Sequence, residues 1–531
     1  MNGTTDTLLR EAVAHHQAGR LNEAVAIYRR VLAGHPDNAD AHHLFGVAAM
    51  QAGRLDEAET HLSRAVELNG AHPEFLMNYA TCLQEKGETE QAIPYYQQSI
   101  SLRPGNPQAL YNLGNALVRA GRAREAIRYY EDAAAADTGN PALHQAIGLA
   151  CLQTGDTGRG LMELREAVRL APDFHEAAYN LALALHERGE LEEAQRHADA
   201  LLARLPQHPG VQNLAGMLRD AKGDAAGAEE HYREALRLAP GYPDALVNLG
   251  NLARQREDYA DAAALFRQAL DGDPRFTRAH NNLANALFHL GDREGAFAHY
   301  RRAVEIDPGY ANGWSSLGVA LRAVGDPDGA LDAFDRAIEQ DPSHPDARMG
   351  RAVLHLLAGR FAAGWKDYLH RDSIAADAAR FDRGALPADL HGKRILVERD
   401  QGLGDEIFFL RFAAELRRRG ADVTYLSDPR LTAMIVRAST VDATKATPPT
   451  EAPDIRLSVG DLPFVTGMGD DVAPPGPFVI PPLPDKEDAL RARLAECGPA
   501  PWIAVTWRAG TAGRDRLLFK SAPPDAIAAA L

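Results

Sequence analysis

The sequence PQALYNLGNALVRAGRAREAIRYYEDAAAADTGN, residues 107–140, contains the pattern that decides the fold of most of this chain. Leu110, Leu113 and Leu117 recur at the spacing of one helix face, Gly121 interrupts that pattern, and a second amphipathic run follows. Glycine after the last periodic residue is a typical helix stop. The stretch therefore predicts two helices joined by a tight turn. A single hairpin of this kind cannot bury its apolar faces alone, so it needs neighbours.

The same pattern recurs along the chain every 34 residues. Each glycine is followed five residues later by a small residue and, in most units, nine residues later by an aromatic ring. A proline near the end of most units stops the second helix. Glu257 takes the place of one glycine, and the others are Gly19, Gly53, Gly87, Gly121, Gly155, Gly189, Gly223, Gly291, Gly325 and Gly359.

This register resembles that of the tetratricopeptide repeat family over residues 5–371, in eleven units. The resemblance implies an α-solenoid, a superhelix of helical hairpins that is almost wholly helical. Gly160 and Gly364 depart from the family pattern because alanine is usual there, and Arg371 stands where a small packing residue is usual. We interpret the eleventh unit as a transition into a different domain.

Asparagine occupies the sixth place of a unit five times and the ninth place three times, although it favours neither helix interiors nor cores. In residues 107–140 these places lie away from the leucine face. The amides can be polar filler or bonds between helices, copied from unit to unit. Alternatively, they form a ladder that holds the backbone of an extended peptide. The residues concerned are Asn78, Asn112, Asn115, Asn180, Asn248, Asn251, Asn282 and Asn285.

These asparagines are similar to the amide ladder in the repeat superhelix of protein O-linked N-acetylglucosamine transferases. That resemblance implies a polypeptide acceptor, held by its backbone in the concave groove of the solenoid. Ala146 and Leu214 interrupt the series at the sixth place, so we expect a two-part groove. Acidic residues at the second place of several units favour a basic or polar peptide.

The 34-residue period is lost after residue 371, and residues 372–394 contain glycine and proline typical of a linker. The apolar run at residues 395–397 then enters a turn with Gly402 and Gly404, and an amphipathic helical pattern follows. A glycine turn at a helix start lets phosphate approach backbone N–H groups. Asp405 at this turn can cap the helix or face a ligand as a base.

Further strands are predicted at residues 423–426, 455–457 and 478–480, and helices at residues 405–419, 431–437 and 485–496. Alternating strands and helices predict a parallel α/β sheet. We expect the loop at residues 460–469 to lie over the carboxyl ends of the strands, where such sheets bind ligands.

Residues 500–531 show the same predicted order as residues 395–411, a strand, a polar glycine turn and a helix, and the apolar strand is predicted at 502–507. Arg508, Thr511 and Lys520 can donate to a diphosphate, or they can belong to a solvated basic loop. One strand and one helix cannot close a nucleotide pocket, so either this second α/β domain is incomplete or its strand and helix pack against the first α/β unit as an appendage. In both cases the 531-residue chain is expected to bind its acceptor, to bind nucleotide sugar weakly and to transfer little or nothing unaided.

The turns at residues 402–405 and 507–511 resemble those of bacterial glycosyltransferases with two Rossmann-like domains, the GT-B class. Some of these are fused to tetratricopeptide repeats and glycosylate flagellin, and heptosyltransferases are more distantly similar. The resemblance implies a Rossmann-like domain at residues 395–497, Asp405 as the base, Gly402 and Gly404 near the donor, and Lys520 on the donor diphosphate. No Asp-x-Asp pair stands beside either turn, so metal-independent transfer from a nucleotide sugar to Ser or Thr is expected. The competing interpretation is a non-catalytic repeat adaptor with a degenerate transferase-like domain.

Composition narrows the other possibilities. The three cysteines are far apart in sequence and form neither a disulfide framework nor a metal knuckle. The net charge is −16, and residues 1–371 carry 37 basic against 50 acidic residues, which disfavours nucleic acid as a partner. The chain has no long uncharged apolar run, so we expect no membrane insertion and a cytoplasmic location.

Overall fold

The computed structural model describes residues 3–371, 379–400, 402–438, 440–445, 447–449, 451–472, 475 and 483–495. The chain divides into two compact units, Met1–Ile306 and Asp307–Leu531. The predictions at residues 478–480 and 500–531, including Arg508, Thr511 and Lys520, lie outside the described residues.

Nine helical hairpins make up the described part of the first unit, in the predicted register. Their helices are α1 Gly3–Gln17, α2 Leu21–Gly34, α3 Ala39–Gln51, α4 Leu55–Leu68, α5 Pro73–Glu85, α6 Thr89–Leu102, α7 Pro107–Arg119, α8 Ala123–Ala136, α9 Pro141–Gln153, α10 Thr157–Leu170, α11 His175–Arg188, α12 Leu191–Arg204, α13 Pro209–Ala221, α14 Ala225–Leu238, α15 Pro243–Gln255, α16 Tyr259–Gly272, α17 Thr277–Leu290 and α18 Arg293–Ile306.

The recurring glycines end the first helix of each hairpin by adopting a left-handed backbone conformation. Gly53 has φ +73° and Gly223 has φ +79°, and a Cβ added at either would meet nothing within 4 Å. Backbone conformation rather than crowding therefore requires glycine here. Glu257 adopts φ 63° at the same place, the one non-glycine residue with positive φ among the described residues.

A second set of glycines makes room for the aromatic rings. A Cβ added to Gly216 or Gly250 would lie 2.5 Å from the ring of Tyr232 or Phe266, from the second helix of the same hairpin. These rings are fully buried. The helices of a hairpin therefore approach closely only because the first lacks a side chain where the second presents a ring.

The second unit begins with two more hairpins and continues into a small sheet. Its elements are α19 Ala311–Ala323, α20 Pro327–Gln340, α21 Pro345–Leu357, α22 Phe361–Tyr368, β1 Arg394–Glu398, α23 Leu403–Leu410, α24 Ala413–Arg418, β2 Asp422–Leu426, α25 Pro429–Ala438, β3 Ala443–Lys445, β4 Ile455–Ser458, α26 Leu462–Val465 and α27 Pro484–Ala495. The four described strands are parallel in the order β3-β2-β1-β4. The parallel pairing and the helical connections after β1 and β2 are as predicted, except that the helix expected to reach residue 419 is divided into α23 and α24.

Two sequence expectations need correction here. Residues 459–465 form a 3-10 turn, Val459–Asp461, followed by α26, instead of an open loop; Val459, Leu462 and Val465 are buried in the core, which explains the regular structure. The short edge strand β3 was not predicted, because three residues are too few to show a period.

The core of the α/β part reaches into the eleventh hairpin. Trp365 of α22 packs edge-on against Phe409 and Phe412, and it belongs to the same buried cluster as Val397 and Val423 of the sheet. The N–H of Ala362 at the start of α22 donates to Asp470 (2.9 Å). The last hairpin is therefore packed as part of the α/β core.

Candidate functional site

A 440 Å³ cavity lies at the carboxyl ends of β1 and β2, and Arg399, Asp400, Gly402, Leu403, Glu406, Asp428 and Arg430 line it. In the parallel register Glu398 pairs with Leu426 of β2 and with Ser458 of β4, so the segments that follow all three strands meet at one edge. This edge is where open parallel sheets bind ligands. The predicted Gly402 turn forms part of its wall.

Asp405 and Glu406 are neighbours in sequence but face different surroundings. Asp405 is exposed and is not among the residues that line the cavity, whereas Glu406 lines it and is 1% exposed. Successive helical residues are about 100° apart, so only one of the pair can face inward. Gly402 lines the cavity and precedes α23; Gly404 is exposed and outside the lining, and a Cβ there would meet nothing within 4 Å.

The sequence interpretation did not single out Glu406, although a signal was present. Leu403, Glu406 and Leu410 are spaced i, i+3, i+7, so the stripe that turns Leu410 into the core also turns Glu406 inward. The hydroxyl of Tyr425 on β2 donates to Glu406 Oε2. Burial raises the pKa of Glu406, and burial together with this bond raises the pKa of Tyr425. The cavity therefore contains a carboxyl group with an increased affinity for its proton.

The two arginines of the cavity are both engaged by one carboxylate. Asp428 accepts from Arg399 Nη1 (2.9 Å), and it accepts from Nε, Nη2 and the backbone N–H of Arg430 (2.9 Å each). The bonds from Arg430 hold the pKa of Asp428 well below its usual range. A phosphate in this cavity would have to compete with Asp428 for both guanidinium groups.

Asp400 connects the cavity to the eleventh hairpin. Its Oδ2 accepts from Arg371 Nε (2.9 Å) and from Ser458 Oγ, and Arg371 Nη1 donates to Asp461 (2.5 Å). The side chains of Arg371, Asp400 and Asp461 are almost completely buried. Gly460 permits this arrangement, since a Cβ there would lie 2.7 Å from the guanidinium. Asp400 Oδ1 is buried and has no hydrogen-bond partner among the described residues.

The eight asparagines at the sixth and ninth places of the repeats are half-buried, and most of them bond within the solenoid. Asn248 Nδ2 donates to Asn213 Oδ1 (2.9 Å), and Asn282 Nδ2 donates to Asn251 Oδ1 (3.1 Å), so both bonds join the first helices of successive repeats. Asn78 Nδ2 is 2.7 Å from His43 Nε2 in the same arrangement. Bonding between helices is therefore one role of the row.

Other amides in the row bond within their own hairpin. Tyr130 donates to Asn115 Oδ1 and Tyr300 donates to Asn285 Oδ1 (2.7 Å each), and Gln108 donates to Asn112 Oδ1 (2.9 Å). Each amide has two donors and a two-fold acceptor, so one internal bond does not exhaust it. The row consequently keeps hydrogen-bonding capacity for a second partner, and the ladder stays a prediction.

Two kinds of feature are absent from the described residues. In that part of the chain, no group of three or more His, Cys, Asp or Glu side chains is placed to hold a metal ion. Likewise, none of the described helices combines the length and apolarity needed to cross a membrane.

Comparison with known families identifies the repeats. One model of the tetratricopeptide repeat matches residues 247–311 and 316–371, and another matches residues 15–80, 49–93, 83–150 and 151–218. Together these matches cover more than half of the chain, which therefore belongs to the tetratricopeptide repeat family. Solenoids of this kind present extended binding surfaces, which indicates a role in protein–protein interaction.

Individual relatives are more distant. Protein FlbA of Caulobacter vibrioides is 26% identical over 185 residues, which are 30% of this chain and 31% of that protein. The chain thus spans about a third of the length of the curated relative that it matches. The crystal structure of MamA protein is similar at 24% identity with a TM-score of 0.31, covering 32% of this chain and 93% of that one. The crystal structure of yeast Tom70 is similar at 14% identity with a TM-score of 0.39, covering 72% and 92%.

Proposed function

We propose that this chain belongs to a protein glycosyltransferase whose repeats hold a polypeptide acceptor and whose α/β part supplies the acceptor side of the transfer site. The observation that carries the proposal is the cavity at the carboxyl ends of β1 and β2, with the Gly402 turn in its wall. The strand order β3-β2-β1-β4 supports it, because classic doubly wound nucleotide-binding sheets begin with the same order.

The reaction proposed is transfer from a nucleotide sugar to a Ser or Thr hydroxyl. A carboxylate takes the hydroxyl proton, the oxygen bonds to the anomeric carbon, and the bond from that carbon to the diphosphate breaks, with the electron pair leaving on the diphosphate. The sequence resemblance assigns the role of base to Asp405 in the first turn of α23. Glu406 stands inside the cavity as a second carboxyl group that can hydrogen-bond a ligand hydroxyl.

The repeats support the acceptor half of the proposal. A polypeptide held by its backbone would bring many different Ser and Thr residues to one site, and the amide row has the donors and acceptors for such binding. Flagellin is one candidate acceptor, since the sequence resemblance includes transferases that modify it.

A transfer assay tests this function directly. The 531-residue chain is incubated with flagellin and a panel of labelled nucleotide sugars, and protein-bound label is followed with time. We expect slow incorporation from one donor, and the matched variant Asp405→Asn shows whether it depends on the turn. Acceptor binding with neither incorporation nor detectable binding of any nucleotide sugar would contradict the enzyme and favour the non-catalytic adaptor.

A further inference from the structure

At the ninth place of the repeats in the first unit, apolar residues replace asparagine in the middle of the series. At the ninth place the fourth repeat has Asn115, the eighth and ninth have Asn251 and Asn285, and the repeats between have Leu149, Leu183 and Met217. Leu149 is 40% exposed, and Leu183 and Met217 are half-buried. We call these three residues the apolar strip.

The bond pattern shows that the strip and the amides share one row. Asn282 at the sixth place of α17 bonds to Asn251 at the ninth place of α15, so these two places meet where successive first helices touch. The 34-residue register puts the strip at the same place, on α9, α11 and α13, and these helices also contact one another in succession. The strip therefore continues through α13 to the amide group on α15, and the repeat register places Asn115 of α7 in the same row.

The first helix of the fifth repeat, α9, is the most apolar part of this row. Residues 141–153 contain no Asp, Glu, Lys or Arg. Its inward side is already filled by Leu143, Ile147 and Cys151, so Leu149 is not needed for the core. Leu149 therefore leaves apolar surface on α9 that an apolar side chain of another molecule can cover.

A buried amide on α9 also indicates a binding site for another molecule. Gln145 is 6% exposed, and its Nε2 has no hydrogen-bond partner among the described residues. At the equivalent fifth place of the seventh repeat, Asn213 is bonded by Asn248. An unmade hydrogen bond at a buried amide costs free energy, which a partner that supplies an acceptor would recover.

We propose that the apolar strip binds apolar side chains of the acceptor polypeptide, while the asparagines on either side hold its backbone. This proposal rests on the proposed role of the repeats as an acceptor groove and adds a sequence preference to it.

The spacing of the helices sets the spacing of the preferred residues. Packed helices are about 8–10 Å apart. A polyproline II segment rises about 3.1 Å per residue with three residues per turn, so it presents one side about every 9 Å. The preferred acceptor therefore carries apolar residues at positions i, i+3 and i+6, and the strip selects them.

Fluorescence anisotropy with labelled peptides tests the proposal without any transfer reaction. One peptide carries Leu at i, i+3 and i+6, a second carries the same residues at i, i+2 and i+4, and a third has Ser in their place. We expect the first peptide to bind the full chain about tenfold more tightly than the other two. Equal binding of all three peptides would overturn the proposal.

Variants of the chain locate the preference. The triple variant Leu149→Ser, Leu183→Ser, Met217→Ser is expected to lose the roughly tenfold advantage of the first peptide. The control Leu102→Ser, Met162→Ser removes exposed apolar residues from second helices, α6 and α10, and should keep it. If the triple variant does not fold, Leu149→Glu replaces it in the same measurement, because this variant changes only the exposed residue of the strip. An unchanged preference in the strip variants, or an equal loss in the control, would contradict the proposal. Absence of both nucleotide-sugar binding and sugar transfer would contradict the proposed enzyme but would leave this peptide preference standing.

Discussion

At the scale of single residues, Glu257 carries a backbone conformation that glycine adopts in the other repeat turns. Its φ of 63° brings Cβ close to the following carbonyl oxygen. We expect Glu257→Gly to raise the free energy of unfolding by about 1 kcal/mol, because the left-handed conformation costs an L-residue about that much. Hydrogen exchange of the eighth hairpin measures the change. The reciprocal variant Gly223→Ala should destabilise the seventh hairpin, and a stable Gly223→Ala variant would show that these turns carry no strain.

The second prediction at this scale concerns Asp405. If Asp405 is the base, Asp405→Asn in a catalytically complete protein lowers sugar transfer about 10²- to 10⁴-fold and leaves peptide affinity intact. Initial rates of label incorporation and anisotropy titrations measure the two quantities. A variant that keeps its rate but melts at a lower temperature would assign Asp405 to the stability of the start of α23.

Glu406 gives a third prediction, on stability against pH. Its pKa is raised in the folded protein, so the folded state binds this proton more tightly than the unfolded chain does. The resulting stability is present below the ordinary pKa of glutamate and is lost as the pH rises through the raised value. Glu406→Gln should abolish this loss and make the α/β part more stable than the wild type at neutral pH. Thermal melting between pH 4 and 8 measures it, with Asp405→Asn as the exposed neighbouring control; parallel curves for Glu406→Gln and the wild type would contradict the assignment.

At the scale of the helices, the asparagine row is predicted to bind peptide backbone. Replacing Asn112, Asn115, Asn248, Asn251, Asn282 and Asn285 by Ala should weaken acceptor binding, since each lost amide pair costs about 0.5–1.5 kcal/mol. Anisotropy measures affinity, and circular dichroism checks that the helices persist.

The chain offers a matched control for this row. Tyr130→Phe with Tyr300→Phe removes the internal bonds to Asn115 and Asn285 but keeps both amides. Affinity should survive in this control. Unchanged affinity in the six-fold variant would leave hydrogen bonding within the solenoid as the sole role of the row.

At the scale of the whole molecule, Arg371 joins the last repeat to the sheet within the second unit. Arg371→Met would leave Asp400 and Asp461 as buried carboxylates without this partner, which typically costs about 3–5 kcal/mol. We expect β1 and β4 to exchange their amide hydrogens faster, while α3 and α5 in the first unit keep their protection. Arg430→Met removes an exposed guanidinium and leaves Asp428 its bond from Arg399, so it should change little. Equal protection of β1 in the wild type and in Arg371→Met would show that the network is not needed for stability.

The sequence by itself determined the repeats. Each hairpin is specified by nearby residues such as Leu113, Gly114 and Gly121, and the neighbouring hairpins have the same pattern. A local pattern was therefore enough to predict the helices, their turns and their inward faces. It also predicted β1, β2 and β4 and the glycine turn, because apolar runs and glycines are local signals too.

Only the tertiary structure decided which residues meet at the cavity and what the departures from the repeat pattern do. In sequence, Arg371 is only a departure from the repeat pattern. Its role as the partner of Asp400 and Asp461 depends on residues 29 and 90 positions away. Asp405 and Glu406 look equivalent in sequence, and helix rotation against the sheet separates them. The physical reason is that burial and ion pairing depend on contacts between distant parts of the chain, which no local period encodes.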